Sequence, residues 1–163
     1  MYFLSLFKDL ERWFSKAKRI VIIGVGNPIR RDDNVGVEVV SGLEGKVPKS
    51  VLLIKSETVP ESFIGSIEQF DPTHILIIDA ALLELTIGSV KFFESIFTSR
   101  TAISTHNLPI QIFTEYLRRT TGAKIAMLLI QPKDTSFGEG LTRKLSIKKE
   151  SLVKIIIKIL NSL

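Results

Sequence analysis

Two alternating patterns of apolar residues run along the chain. Arg19-Ile-Val-Ile-Ile-Gly-Val-Gly26 is a continuous β-branched run ending in glycines, which reads as a buried parallel strand. Ser50–Ile54, His74–Asp79 and Lys124–Gln131 are runs of the same kind. Val90, Phe92 and Phe93 mark a shorter strand over Gly88–Glu94, a candidate antiparallel edge. Between the strands the apolar positions shift to helical spacing. Helices are expected from Val35 to about Leu43, from Pro60-Glu61 to about Phe70, and over Leu108–Arg119. Pro60 suits a first turn, and Gly122 follows the third helix as a terminator. A closing helix from Leu145 or Ser146 to Leu160 carries Leu152, Ile155, Ile156 and Ile159 on one face. At the start, Leu6, Leu10 and Phe14, with Phe3 and Phe7 nearby, predict an amphipathic helix over residues 3–17. Strands alternating with helices imply an α/β fold: a three-layer sandwich with a central, mostly parallel sheet of about five strands and helices on both faces. The expectation is one domain over residues 1–163, with the helix of residues 1–18 packed on it.

Composition narrows what such a chain can be. With 45% hydrophobic and 24% charged residues in 163, disorder is excluded. There is no cysteine, so a disulfide framework, a thiolate metal site and a thiol nucleophile are excluded too. His74 and His106 are the only histidines. Lys8, Asp9, Glu11 and Arg12 interrupt any apolar leader segment. The longest apolar stretches, Ile75–Ile78 and Ala80–Leu83 around Asp79, fall far short of the ~20 residues of a membrane span. A cytoplasmic location is expected. The net charge of +5 is concentrated in the two terminal helices, a pattern of solvated helix faces rather than of a nucleic-acid binder.

In open α/β sheets, ligands bind at the C-terminal ends of the strands. Three polar clusters fall there. Gly24-Val-Gly-Asn-Pro-Ile-Arg-Arg-Asp-Asp33 leaves the first strand. It is a poor dinucleotide loop, because Ile29 stands where a third small residue is needed and Asp32 and Asp33 would repel phosphate. One of these two carboxylates is expected to cap the helix near Val35, leaving the other for chemistry. Asp79 closes a wholly apolar strand. Ser104-Thr-His-Asn-Leu-Pro109 precedes a helix and offers His106 as ligand or acid–base group, with Thr105 or Asn107 as a helix cap. His74 begins the strand that Asp79 ends, about 16 Å away, and is expected to be a surface or strand-start histidine. Two carboxylates and an imidazole could hold a divalent metal with open positions, or act without one as acid–base machinery. Neither a Gly-x-Ser-x-Gly elbow nor an H-E-x-x-H pair is present.

Together Gly24-Val-Gly-Asn-Pro28, Asp32-Asp33, Val59-Pro60-Glu61, Ile78-Asp-Ala80 and Ser104-Thr-His-Asn-Leu-Pro109 resemble the [NiFe]-hydrogenase maturation endopeptidases, closest to the archaeal members of the formate-hydrogenlyase type. The resemblance covers about residues 19–135. It implies a phosphorylase/hydrolase-like fold and an aspartyl-type endopeptidase. Such an enzyme removes the C-terminal extension of a hydrogenase large-subunit precursor after nickel insertion and senses the nickel that the precursor holds. By motif, Asp33, Asp79 and His106 are then both the catalytic and the metal-contacting residues. They would lie within about 5–7 Å of one another, close enough to share an ion at ~2.0–2.2 Å. Nickel would arrive with the precursor, other divalent metals could occupy the site, and the protein would act as a monomer. The chain departs from the family at four places. Arg31 and Asn34 stand where glycines usually flank the acidic pair, Lys55 where an acid is frequent, and Glu57 where a glycine is usual. These departures leave a competing expectation, a non-catalytic nickel-checking or scaffolding protein that binds the precursor without cutting it.

Overall fold

The computed structural model describes residues 2–94, 103–104 and 110–163. Helix α1 (Tyr2–Phe14) is followed by β1 (Ile20–Val25), a 3-10 turn over Arg31–Asn34 and α2 (Val35–Leu43). Strand β2 (Val51–Glu57) leads through a second 3-10 turn, Pro60–Phe63, into α3 (Ile64–Phe70), and β3 (His74–Leu82) and β4 (Val90–Phe93) follow. A two-residue strand β5 (Ile103–Ser104), α4 (Ile110–Thr121), β6 (Lys124–Ile130) and α5 (Arg143–Leu160) complete the described chain. The sheet order is β2-β1-β3-β6-β4, with β5 paired to β3. Pairings among β2, β1, β3 and β6 are parallel, whereas β4 runs antiparallel to β6 at the edge. The five-stranded, mostly parallel sheet and its antiparallel edge are as the sequence predicts.

Because side chains alternate across a strand, each strand feeds two cores. Ile20 and Ile22 of β1, Leu76 and Ile78 of β3, and Ala126 and Leu128 of β6 face α1, α2 and α5. Their neighbours Val21, Ile23, Ile75, Ile77, Ile125 and Met127 face α3 and α4 through Ile67, Phe113 and Leu117. The amphipathic N-terminal helix ends three residues earlier than expected, and its Leu6, Leu10, Trp13 and Phe14 are buried in the first of these cores. Pro60 opens a short 3-10 turn before the α-helix proper begins at Ile64.

Helix α2 lies unusually close to the sheet. A β-carbon built on Gly36 would collide with the carbonyl oxygens of Ile78 and Val25, and one on Gly24 would collide with the carbonyl of Gly36 and come 2.9 Å from Val40 Cγ2. The small residue that a glycine-rich loop needs for helix-on-strand contact is therefore supplied by Gly36, inside the helix. This contact seats the first turn of α2 on the C-terminal ends of β1 and β3. The turn preceding it, which carries Asp32 and Asp33, is set against β3.

Candidate active site

Asp33 and Asp79 come to the C-terminal end of the sheet on different elements. Asp79 follows the last β1–β3 pair, Gly24 with Ile78, and still pairs with Leu129 of β6 on its other side. Its side chain is fully buried. Asp33 sits in the 3-10 turn that packs on β3 and is 2% exposed. Two carboxylates so deeply withdrawn from water are costly unless the fold surrounds them with polar groups. Among the described residues no group of three His, Cys, Asp or Glu side chains converges to hold a metal. His106, Thr105 and Asn107 lie outside the described residues. The chain reaches toward them through β5, where Ser104 pairs with Ala81, two residues beyond Asp79. This short antiparallel pair has no apolar run to announce it in the sequence.

Asp32 has a role that the sequence does not reveal. Neither aspartate caps a helix through its side chain. Instead the buried Asp32 carboxylate accepts hydrogen bonds from the backbone N–H groups of Lys133 (2.9 Å), Asp134 (3.0 Å) and Thr142 (2.7 Å), and from the Thr142 hydroxyl (2.9 Å). The expectation of a helix cap is corrected accordingly. A charged acceptor is used to staple the segment between β6 and α5 to the turn that carries Asp33, because that irregular backbone has buried donors and no ladder partner for them. Gln131 does the same for the segment after β3, its Oε1 accepting from the N–H groups of Leu83 (2.8 Å) and Leu85 (3.4 Å).

The departures from the family pattern find physical explanations. Arg31 and Glu57 stand where glycine is usual, and both have left-handed backbone, with φ of 45° and 49°. Arg31 is held there by its backbone N–H on the Gly138 carbonyl (2.9 Å), and its Nε lies 3.5 Å from Asp134 Oδ2. The guanidinium thus faces Asp134, while Asp32 is occupied by backbone donors. The Glu57 carbonyl accepts from the Gly26 N–H (3.0 Å), tying the first loop to the end of β2. Lys55 pairs with Glu44 at 2.8 Å on the exposed surface. Asn34 donates from Nδ2 to Glu38 (3.2 Å).

His74 marks the opposite end of β3 as the strand-start residue, the second of the two expectations, and it is not at the surface. The residue is 3% exposed, its ring edge-on to Trp13 with centroids 4.9 Å apart, and Nδ1 is 3.0 Å from Thr73 Oγ1. Helix α1 covers it, which the sequence of the strand alone does not disclose. Burial, reinforced by nearby Lys124, pushes its pKa below the usual 6.5. A cleft of about 810 Å³ also opens at this end, between α1, α4 and the start of β6. Among the described residues that line it no carboxylate is buried, so this cleft is distinct from the end of the sheet that carries Asp33 and Asp79.

Two buried carboxylates at the strand ends of a sandwiched parallel sheet make a candidate acid–base site. Comparison with known proteins makes the class specific. Residues 37–159 match the family model described as HycI, hydrogenase maturation protease. A Methanocaldococcus jannaschii protein named as a hydrogenase maturation protease is 36% identical over 154 residues, covering 90% of each chain. The hydrogenase 3 maturation protease of Escherichia coli K12 is 25% identical over 133 residues, covering 81% of this chain and 85% of its own. The crystal structure of the [NiFe] hydrogenase maturation protease HycI from Thermococcus kodakarensis superposes with a TM-score of 0.87 at 34% identity, covering 94% of this chain and 99% of that one. The chain belongs to the hydrogenase maturation protease family, and it is a peptidase.

Proposed function

We propose that this peptidase removes the C-terminal extension of a [NiFe]-hydrogenase large-subunit precursor after nickel has been inserted, working in the cytoplasm and reading the nickel that the precursor carries. The observation that supports this reading is the burial of Asp33, in the turn packed on β3, and of Asp79, near the end of β3, where such sheets place their sites. His106 completes the set in this proposal, and the Ser104–Ala81 pair supports it by bringing the chain within two residues of His106 at a point two residues past Asp79. Hard oxygen ligands and one imidazole do not by themselves select nickel. A chain without cysteine leaves any thiolate ligands to the precursor. The protein in this account therefore tests for nickel and does not store it. Bound nickel would supply a Lewis acid beside the scissile carbonyl. The two carboxylates would hold the ion's open face and accept the proton of the attacking water. Incubation with purified precursor, read by intact-mass spectrometry, tests this. Nickel-loaded precursor should lose its C-terminal extension, and nickel-free precursor should keep its full mass. Equal cleavage of both would remove nickel sensing from the account.

A further inference from the structure

The loop between β6 and α5 is fastened on both sides of one exposed aromatic ring. Before Phe137, Asp134 is held by Asp32 through backbone and side chain, the Arg30 guanidinium donates to the Thr135 carbonyl (3.0 Å), and Ser136 N–H donates to Asp134 Oδ1 (2.9 Å). After it, Gly138 receives the Arg31 N–H (2.9 Å) and donates to the Ile29 carbonyl (3.0 Å), a parallel bridge between Arg30 and Gly138. Phe137 between these ties is 78% exposed, more than any other large apolar side chain among the described residues. Ile29, its neighbour across the bridge, is 52% exposed. Folding gains nothing from holding a phenyl ring in water on a fixed loop. Association does gain, because the loop that carries the ring is already fastened and the ring's apolar surface remains to be buried.

The surroundings indicate what would cover it. Ten large apolar side chains are exposed among the described residues, and Ile29, Val59, Leu82, Leu85 and Phe137, half of them, lie on the loops or strand ends around Asp33 and Asp79. The same rim carries Arg30, Arg31, Lys133, Arg143 and Lys144 against Glu57, Glu61, Glu84, Asp134 and Glu139, a balanced set of charges around the apolar patch, and Arg31 and Asp134 face each other. The turn that holds Ile29 runs directly into Asp33. A protein segment seated on this patch is thereby delivered to the carboxylates.

We propose that Phe137, with Ile29 beside it, is the anchor on which the protein substrate docks, receiving an apolar side chain of the precursor. This rests on the reading that the substrate is a hydrogenase large-subunit precursor, and the test separates the two. Binding of nickel-loaded precursor is measured for wild type, Phe137→Ala, Phe137→Asp and Asp79→Asn, together with cleavage and melting temperature. Both Phe137 variants should melt like wild type and weaken Kd about tenfold or more, the aspartate more than the alanine, with single-turnover cleavage at saturating precursor within twofold. Asp79→Asn should melt like wild type and fail to cut. An unchanged Kd for Phe137→Asp overturns the anchor, as does a lowered melting temperature, or a wild-type dimer that Phe137→Asp dissociates. A wild type that binds through Phe137 without cutting would overturn the cleavage reading and leave the anchor standing. A wild type that does not bind the precursor overturns both.

Discussion

His74 begins β3, and Asp79, five positions on, is the first residue beyond the β1 pairing in a strand that runs on to Leu82 rather than closing there; both are buried, and their fates differ. At the start, His74 is enclosed by Trp13 and Phe14 of α1 and has become part of the packing, its ring held neutral by burial. Toward the far end, Asp79 is buried just as deeply, but beside a turn with a second carboxylate and under loops fastened by hydrogen bonds. Burial alone therefore does not distinguish a site from a core. Position along a parallel strand does, because the crossover connections leave the C-terminal ends covered by loops, which can carry chemistry, and the N-terminal ends free to be covered by a helix.

The contrast is sharpest for Asp79→Asn. The substitution keeps shape and removes charge, so precursor processing should fall by about 10²–10⁴, with the melting temperature little changed. Near-wild-type turnover would make Asp79 one more packed polar residue. Asp32→Ala tests whether the stapled loops at this end depend on one carboxylate. It leaves three backbone donors and a hydroxyl without their acceptor, and denaturant unfolding should show a loss of about 3 kcal/mol. Gly36→Ala drives a methyl group into two backbone carbonyls where α2 meets the strand ends. A loss of about 2 kcal/mol is expected by the same measurement, and no loss would mean that α2 can lift off the site end cheaply. The smallest effect belongs to the other end. Because the folded His74 pKa lies below 6.5, the unfolded chain binds a proton that the folded chain does not. The stability contributed by the neutral ring is complete above about pH 6.5 and is lost as pH falls below it, by at most about 1.4 kcal/mol per pH unit. His74→Phe should flatten that part of the stability–pH curve, and an unchanged slope would assign it to other groups.

The apolar runs made the sheet legible, since continuous β-branched strands covered on both faces have few other solutions. Asp79 stands out as the polar residue after such a run and Asp33 in the loop that leaves another, and both are buried. The staple made by Asp32 was not, because its partners lie about a hundred residues away in irregular backbone and leave no periodicity. The burial of His74 depends on α1 folding back over the start of β3, a tertiary contact that a strand's own sequence does not encode. Strand β5 is too short to carry a pattern. Arg31 and Glu57 were visible as departures from glycine, but only the backbone shows that both positions demand a left-handed conformation.

The central claim is that the acids at the far end of β3 act as one set with His106. Its most direct test is the intact mass of nickel-loaded large-subunit precursor after incubation with wild-type protein and with His106→Ala, the two matched for melting temperature. The account predicts a shortened precursor with wild type and an uncut one with His106→Ala. Shortening at the same rate by both proteins would contradict it.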